Sequence, residues 1–168
     1  ALAAAALVLA AQDEKDEELV KRYYAVDKVY FDFIKKNLDS LNFSELSYSL
    51  LYFGLTMKYS LQKEKELLGA DIRKKLLDNC GKDDLCLPST HYEAPKGSAL
   101  ADLIYTMNWF YTAMVFFEKE LPSAEGREWL GKFSEFLADI QDSSAQKELH
   151  GCWRGMYDIS NKSWGGGD

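Results

Sequence analysis

ALADLIYTMNWFYTAMVFF, residues 99–117, contains no Lys, Arg or Glu, one Asp and six aromatic residues. Its apolar residues recur at alternating steps of three and four, as on one face of an α-helix. They are Leu100, Leu103, Met107, Phe110, Met114 and Phe117, and the pattern continues to Leu121. The opposite face is also largely apolar, which is typical of a central helix or a membrane span. Because a charge such as that of Asp102 is costly within a span, we expect a buried central helix and no stable membrane span.

The composition of the whole chain indicates a globular domain and excludes some partners. Of its 168 residues, 47% are hydrophobic and 28% are charged, which is an ordinary balance for one domain. The net charge is −7, whereas nucleic-acid binding requires a clustered basic surface. We therefore expect no nucleic-acid partner. The aromatic content of 14% is high, and large rings fill cores but also line apolar pockets.

The pattern around this segment predicts an all-α, single-domain bundle of about five helices. The first helix carries Leu19, Tyr23, Val26, Tyr30 and Phe33 at steps of four and three. Asn42 and Glu45 have capping-box spacing at the start of a long second helix, whose apolar stripe runs from Leu46 to Leu76. Its charged runs KEKE (63–66) and RKK (73–75) fall on or beside the outer face. A fourth helix follows residues 122–128, and a short fifth presents Leu149, Cys152, Trp153 and Met156 on one side.

The two ends of the chain suggest a secreted, extracellular protein. Residues 1–11 are apolar and small, as at the end of a signal peptide, so we assign them to a residual signal segment. Residues 12–157 form the predicted helical domain, and the Gly-rich residues 158–168 form a flexible C-terminal tail. Asn42 in NFS and Asn161 in NKS are N-glycosylation sequons, which fits this location.

Three cysteines leave the disulfide pairing open. Cys80 and Cys86 enclose five residues, and this pair would staple the long irregular loop between helices 2 and 3. Cys86 with Cys152 is the alternative, which would tie the C-terminal segment to that loop. We favour the local pair, which leaves Cys152 as a possible intermolecular thiol of a homodimer or as a buried cysteine.

The chain lacks the motifs of common enzyme classes. It contains no GxSxG elbow, no HExxH zinc helix and no Walker loop, and its two His have no ligand spacing. We therefore expect no enzyme activity, no cofactor and no metal site.

Two functional hypotheses follow from the aromatic and cysteine content. In the first, the protein binds or carries an apolar small molecule, such as a fatty acid or other lipid, in a pocket with polar handles. The expected ligand-binding residues are Phe53, Met57, Tyr105, Asn108, Trp109, Thr112 and Phe116. In the alternative, it is an extracellular protein–protein interaction module or assembly subunit without a small-molecule ligand, since Tyr and Trp also favour protein interfaces.

Overall fold

The computed structural model describes residues 1–80, 100–143, 147 and 150–164, without the side chains of Leu100 and Tyr105. The described chain is mostly helical, which confirms the predicted class, and it also contains a small antiparallel sheet. The helices are α1 (Leu2–Ala10), α2 (Glu17–Asn37), α3 (Phe43–Thr56), α4 (Gln62–Asp78), a π-helix (Leu103–Met107), α5 (Asn108–Glu120) and α6 (Ala124–Asp139). The strands are β1 (Leu100–Asp102), β2 (Met156–Asp158) and β3 (Ser163–Trp164), ordered β1-β2-β3.

Residues 1–11, assigned above to a signal segment, are mainly helical and pack against α2 and α3. Ala4, Ala5 and Val8 of α1 are buried, and Val8 has no exposed surface. Small side chains allow this helix to approach its neighbours closely. The signal-peptide assignment stays a prediction, and in this structure the segment contributes to the hydrophobic core.

The predicted second helix is two helices, so the expectation of one long helix is wrong. The capping box at its start is confirmed: Asn42 Oδ1 accepts from the Glu45 N–H, and the Glu45 carboxylate accepts from the Asn42 N–H, both at 2.9 Å. Residues 57–61 then form a turn in which Leu61 has a left-handed φ of 49°. The turn folds the apolar stripe back, so that Gly69 of α4 lies against the rings of Phe53 of α3 and Phe117.

The opening segment, predicted as one helix, is from residue 100 onward a strand, a π-helix and then α5. Residues 100–102 pair with β2, and the Leu103 N–H donates to the Gly155 carbonyl at 2.8 Å, which draws the start of the segment into the sheet. Its apolar stripe is confirmed as buried at Met107, Phe110, Met114 and Phe117. Among described residues, no helix is long and apolar enough to cross a membrane.

α5 packs against α3 and α6, and its backbone approaches α3 closely at Gly54. A Cβ at Gly54 would lie 2.8 Å from the backbone of Phe116 and Phe117. Only glycine leaves room for the two helix backbones at this crossing.

The predicted fifth helix is wrong. Asp142 holds the chain beyond α6 in a non-helical form, since its carbonyl accepts from the Gly151 N–H at 2.7 Å and its N–H donates to the Cys152 carbonyl at 2.9 Å. Gly151 has a φ of +84°, which favours glycine. Met156 lies in β2, and β2 pairs with β3 (Ser163–Trp164), so the described part of the tail 158–168 includes a short strand, and its flexibility stays a prediction. Leu149 and residues 165–168 lie outside the described part.

The disulfide-stapled loop is not supported. The structure shows no disulfide between the two described cysteines, Cys80 and Cys152. The Cys80 thiol instead donates to the Leu76 carbonyl at 3.4 Å. Cys86 and the rest of the loop 81–97 lie outside the described residues, so the pairing of Cys80 with Cys86 has no structural evidence.

Candidate functional site

The residues predicted to line one pocket occupy different environments. Phe53 of α3 and Met57, directly after α3, are buried in the hydrophobic core, at 0% and 2% exposure. The Phe53 ring packs against the Phe31 ring, with ring centres 6.0 Å apart. They therefore act as core residues in this structure.

The α5 residues of that set are spread around the helix. Trp109 is half-buried against Tyr48, with ring centres 5.1 Å apart, and Thr112 is also half-buried. Phe116 is 39% exposed. The side chain of Tyr105 lies outside the described part. Of the six predicted residues whose side chains are described, only Asn108 borders the groove described next.

A shallow groove of about 170 Å³ lies between the π-helix, α5, α6 and the chain after α6. Its walls are mostly apolar. They are formed by Leu103, Met107, Asn108, Tyr111, Phe133, Leu137 and Trp153. We take this groove as the candidate functional site, because apolar concave surfaces with a few polar groups are typical of small-molecule sites.

One wall of the groove is the indole of Trp153. Its Nε1–H donates to the Leu137 carbonyl at 2.7 Å, which orients the ring against the C-terminal part of α6. The side chain nevertheless stays 51% exposed. A large ring that is both held in position and exposed offers apolar area without a further ordering cost.

The groove also contains two polar groups. Tyr111 Oη lies 3.0 Å from Ser134 Oγ, and the Ser134 hydroxyl donates to the Leu130 carbonyl at 2.7 Å. Because that hydroxyl has one proton, Tyr111 is the donor to Ser134, and the Tyr111 oxygen keeps acceptor capacity. Asn108 is exposed, and its amide makes no hydrogen bond with the described residues. The two side chains can therefore orient a ligand that carries one polar group.

The π-helix beside the groove is stabilised by Asp102. Its carboxylate accepts from the Thr106 hydroxyl at 2.9 Å and from the Ile104 N–H at 3.2 Å. Both Asp102 and Thr106 are buried. π-helical turns are rare and frequently occur at functional sites, which supports the choice of this groove. The spacing of four between Asp102 and Thr106 is the sequence signal for this contact.

A second groove, of about 150 Å³, lies where α1 meets α2 and α3. Its walls include Tyr30, Phe33, Leu41, Glu45 and Tyr48. The Tyr30 and Phe33 rings are stacked, with centres 6.2 Å apart. This groove opens beside the exposed face of α2.

A buried polar cluster joins α2, α3 and α4. Lys65 Nζ donates to Asp27 Oδ1 at 2.8 Å, Thr56 Oγ1 at 2.9 Å and Ser60 Oγ at 2.8 Å, so its three protons are all used. The Tyr52 hydroxyl donates to the same Asp27 carboxylate. Burial lowers the pKa of Lys65, and burial together with this carboxylate raises that of Tyr52. Because Asp27, Tyr52 and Lys65 are essentially inaccessible, the cluster is a structural element.

The remaining predicted sites lie at the surface. Asn42 and Asn161 are exposed, and Asn42 caps α3 through Oδ1, whereas a glycan would be attached to Nδ2. Cys152 is also exposed. Glycosylation of either Asn and a homodimer through Cys152 stay predictions. Among the described residues, no group of three His, Cys, Asp or Glu is placed to hold a metal ion.

Comparison with known proteins gives no relative. No family model matches the chain, and no curated protein or solved structure is significantly similar to it. The fold and the groove are therefore the basis for the functional argument.

Proposed function

We propose that the protein binds a small apolar molecule in the groove beside Trp153. The observation that carries the proposal is the combination of an oriented, half-exposed indole with apolar walls from Leu103, Met107 and Phe133. Asn108 and Tyr111 supply the polar contacts. Secretion, suggested by residues 1–11 and the two sequons, would place this binding outside the cell.

The size of the groove narrows the ligand class. Sites for drug-sized ligands enclose about 300–1,000 Å³, whereas a cavity of about 150 Å³ holds one benzene ring. A groove of about 170 Å³ therefore fits a single ring or a short branched chain, with one polar substituent. It is too small to enclose a whole fatty acid. The proposed ligands are therefore one-ring compounds, or one end of a longer molecule, and not lipids in general.

The small contact area also limits the affinity. Burying about 150 Å² of ligand surface gives about 4 kcal/mol at 25 cal/mol per Å², before ordering costs. Because ordering costs reduce this free energy, a dissociation constant of about 1 mM is the tightest that the groove alone supports. Tighter binding would require contacts beyond the groove.

The test uses p-cresol, which has one ring and one hydroxyl, and compares two tryptophan variants. We expect saturable binding by the wild-type protein and at least about fivefold weaker binding by Trp153→Ala, because one wall is lost. Trp109→Ala is the matched control, since Trp109 packs against Tyr48 away from the groove. Leu137→Phe, which fills the groove, should also weaken binding.

Equal binding by Trp153→Ala and the wild type would contradict the groove assignment. Weakening by Trp109→Ala alone would instead support the pocket expected from the sequence. Circular dichroism of each variant confirms that the helices are retained.

A further inference from the structure

We infer that the exposed face of α2 is a docking surface for an acidic amphipathic helix of another protein. The surface is a stripe of three apolar residues, Val26, Val29 and Phe33, which we call the α2 stripe. Their side chains are 44%, 70% and 52% exposed. The site is separate from the groove beside Trp153, and the inference does not depend on the function proposed for that groove.

The spacing of the α2 stripe matches a partner helix. Steps of three and four place the three side chains in one row along α2. Monomeric proteins expose single apolar residues commonly, but a contiguous apolar row indicates an interaction site. A helix that packs lengthwise on such a row contributes apolar residues at the same spacing. The groove lined by Phe33, Tyr30 and Tyr48 adjoins one end of the stripe and can receive a side chain of the partner.

Unpaired cations lie at both ends of the α2 stripe. Arg22 precedes Val26 by four residues and Lys36 follows Phe33 by three, so both lie on the same face. Both are exposed, and neither makes an ion pair with any described residue. Fourteen residues of helix separate their positions by roughly 21 Å.

The acidic residues of α2 beside the stripe already form ion pairs with lysines of the same helix. Glu18 pairs with Lys21 at 2.6 Å, and Asp32 pairs with Lys28 at 2.6 Å. Glu45, at the edge of the adjoining groove, accepts the capping hydrogen bond from the Asn42 N–H and keeps its negative charge, but it lies in the first turn of α3 and not on α2. The uncompensated charge at the ends of the stripe is therefore positive, and it favours a partner with acidic residues on either side of its apolar row.

The same charges disfavour a second copy of this chain. An antiparallel α2–α2 pair centred on Val29 would place Arg22 of one copy opposite Lys36 of the other, because each lies seven residues from Val29. A parallel pair would oppose Arg22 to Arg22 and Lys36 to Lys36. Both two-fold arrangements join like charges, which is unfavourable. An anionic membrane is disfavoured because the stripe has two unpaired cations at its ends, whereas basic clusters that bind anionic lipid contain about four to eight Lys or Arg.

The test is a titration with a synthetic helical peptide of about 18 residues that carries three Leu at this spacing and Glu beyond both ends. The full chain is labelled for NMR, and a second peptide carries Lys in place of Glu. We expect the Glu peptide to shift the signals of the α2 stripe and to bind at least about fivefold more tightly than the Lys peptide. Val29→Ser should weaken binding, whereas Leu67→Ser, which removes an exposed apolar residue of α4, should not.

Charge reversal gives the decisive comparison. Arg22→Glu with Lys36→Glu should exchange the preference, so that the Lys peptide binds more tightly. Absence of binding, or equal binding of both peptides, would overturn the inference. Concentration-dependent dimerisation abolished by Val29→Ser would assign the surface to a second copy instead. Binding to phosphatidylserine vesicles without binding to either peptide would assign it to a membrane.

Discussion

Lys65 and Asp27, 38 residues apart in the sequence, form an ion pair of 2.8 Å with side chains that are 0% and 2% exposed. The pair connects α4 to α2, and Tyr52 of α3 completes it with a hydrogen bond to the carboxylate and a ring 4.6 Å from the ammonium. Such a pair is costly to bury, but it is more costly to break.

The first prediction concerns this pair. Lys65→Met should lower the free energy of unfolding by about 3–5 kcal/mol, because it leaves the Asp27 carboxylate buried without its cation. Urea unfolding measures the change. Lys28→Met, which removes an exposed ion pair with Asp32, is the matched control and should cost less than about 0.5 kcal/mol. A Lys65→Met variant as stable as the wild type would contradict the role assigned to the pair.

The second prediction concerns stability at high pH. Burial and the Asp27 carboxylate raise the pKa of Tyr52 above its ordinary value, so the folded protein keeps a proton that the unfolded chain loses above about pH 10. The Tyr52 proton therefore contributes fully to the free energy of unfolding below pH 10. Above pH 10 this contribution falls by about 1.4 kcal/mol per pH unit. Tyr52→Phe removes it. The stability difference between wild type and Tyr52→Phe should therefore shrink between pH 10 and 11.

Chemical unfolding at closely spaced pH values measures that difference. Lys65 has the opposite effect on the pH dependence of stability. Because its pKa is lowered in the folded protein, the unfolded chain binds this proton more readily just below pH 10.5. The Lys65 contribution to the free energy of unfolding therefore rises with pH in that range. The wild type and Tyr52→Phe both contain Lys65, so its effect largely cancels in the difference between their free energies of unfolding. A constant difference across this range would contradict the prediction.

The third prediction concerns the crossing of α3 and α5. Gly54→Ala should destabilise the protein by about 2 kcal/mol, although alanine is the better helix former, because the new Cβ meets the backbone of Phe116 and Phe117 at 2.8 Å. Gly131→Ala in α6 is the matched control. No atom lies within 4 Å of its new Cβ, so it should stabilise by up to about 1 kcal/mol. Thermal unfolding of both variants should therefore give shifts of opposite sign.

The fourth prediction concerns α1. Val8→Ala should lower the free energy of unfolding by about 1–2 kcal/mol, since the Val8 side chain of α1 is completely buried. Leu9→Ala, at a position that is 38% exposed, should cost less. If both variants unfold at the same urea concentration as the wild type, α1 contributes nothing to the core in solution.

Periodicity predicted the parts of the fold that depend on neighbouring residues. The stripe from Met107 to Phe117 and the capping box of Asn42 with Glu45 are both confirmed. The break at Leu61 was missed, because no Gly or Pro marks the turn and a leucine adopts the left-handed conformation. Pairing of β1 with β2 was missed because it joins residues near 101 to residues near 157, which no local pattern shows.

The candidate site was less predictable than the fold. Among the described lining residues, the sequence pattern indicates only Asn108 as a ligand contact, and it places Trp153 in a helix that does not form. The groove depends on where Asp142 holds the chain after α6, through hydrogen bonds to Gly151 and Cys152. The burial of Lys65 was missed for a related reason: within KEKE it resembles a surface residue, and only the position of Asp27 on α2 explains it.

The most direct test of the proposed function is the NMR signal of the Trp153 indole N–H during a titration with p-cresol. That N–H lies in the groove wall, where it donates to the Leu137 carbonyl. We expect a saturable shift of this signal with the same dissociation constant as the Met107 methyl signal, and loss of saturation in Leu137→Phe. An indole signal that does not move up to the solubility limit of the ligand, while rings elsewhere respond, would contradict binding in this groove.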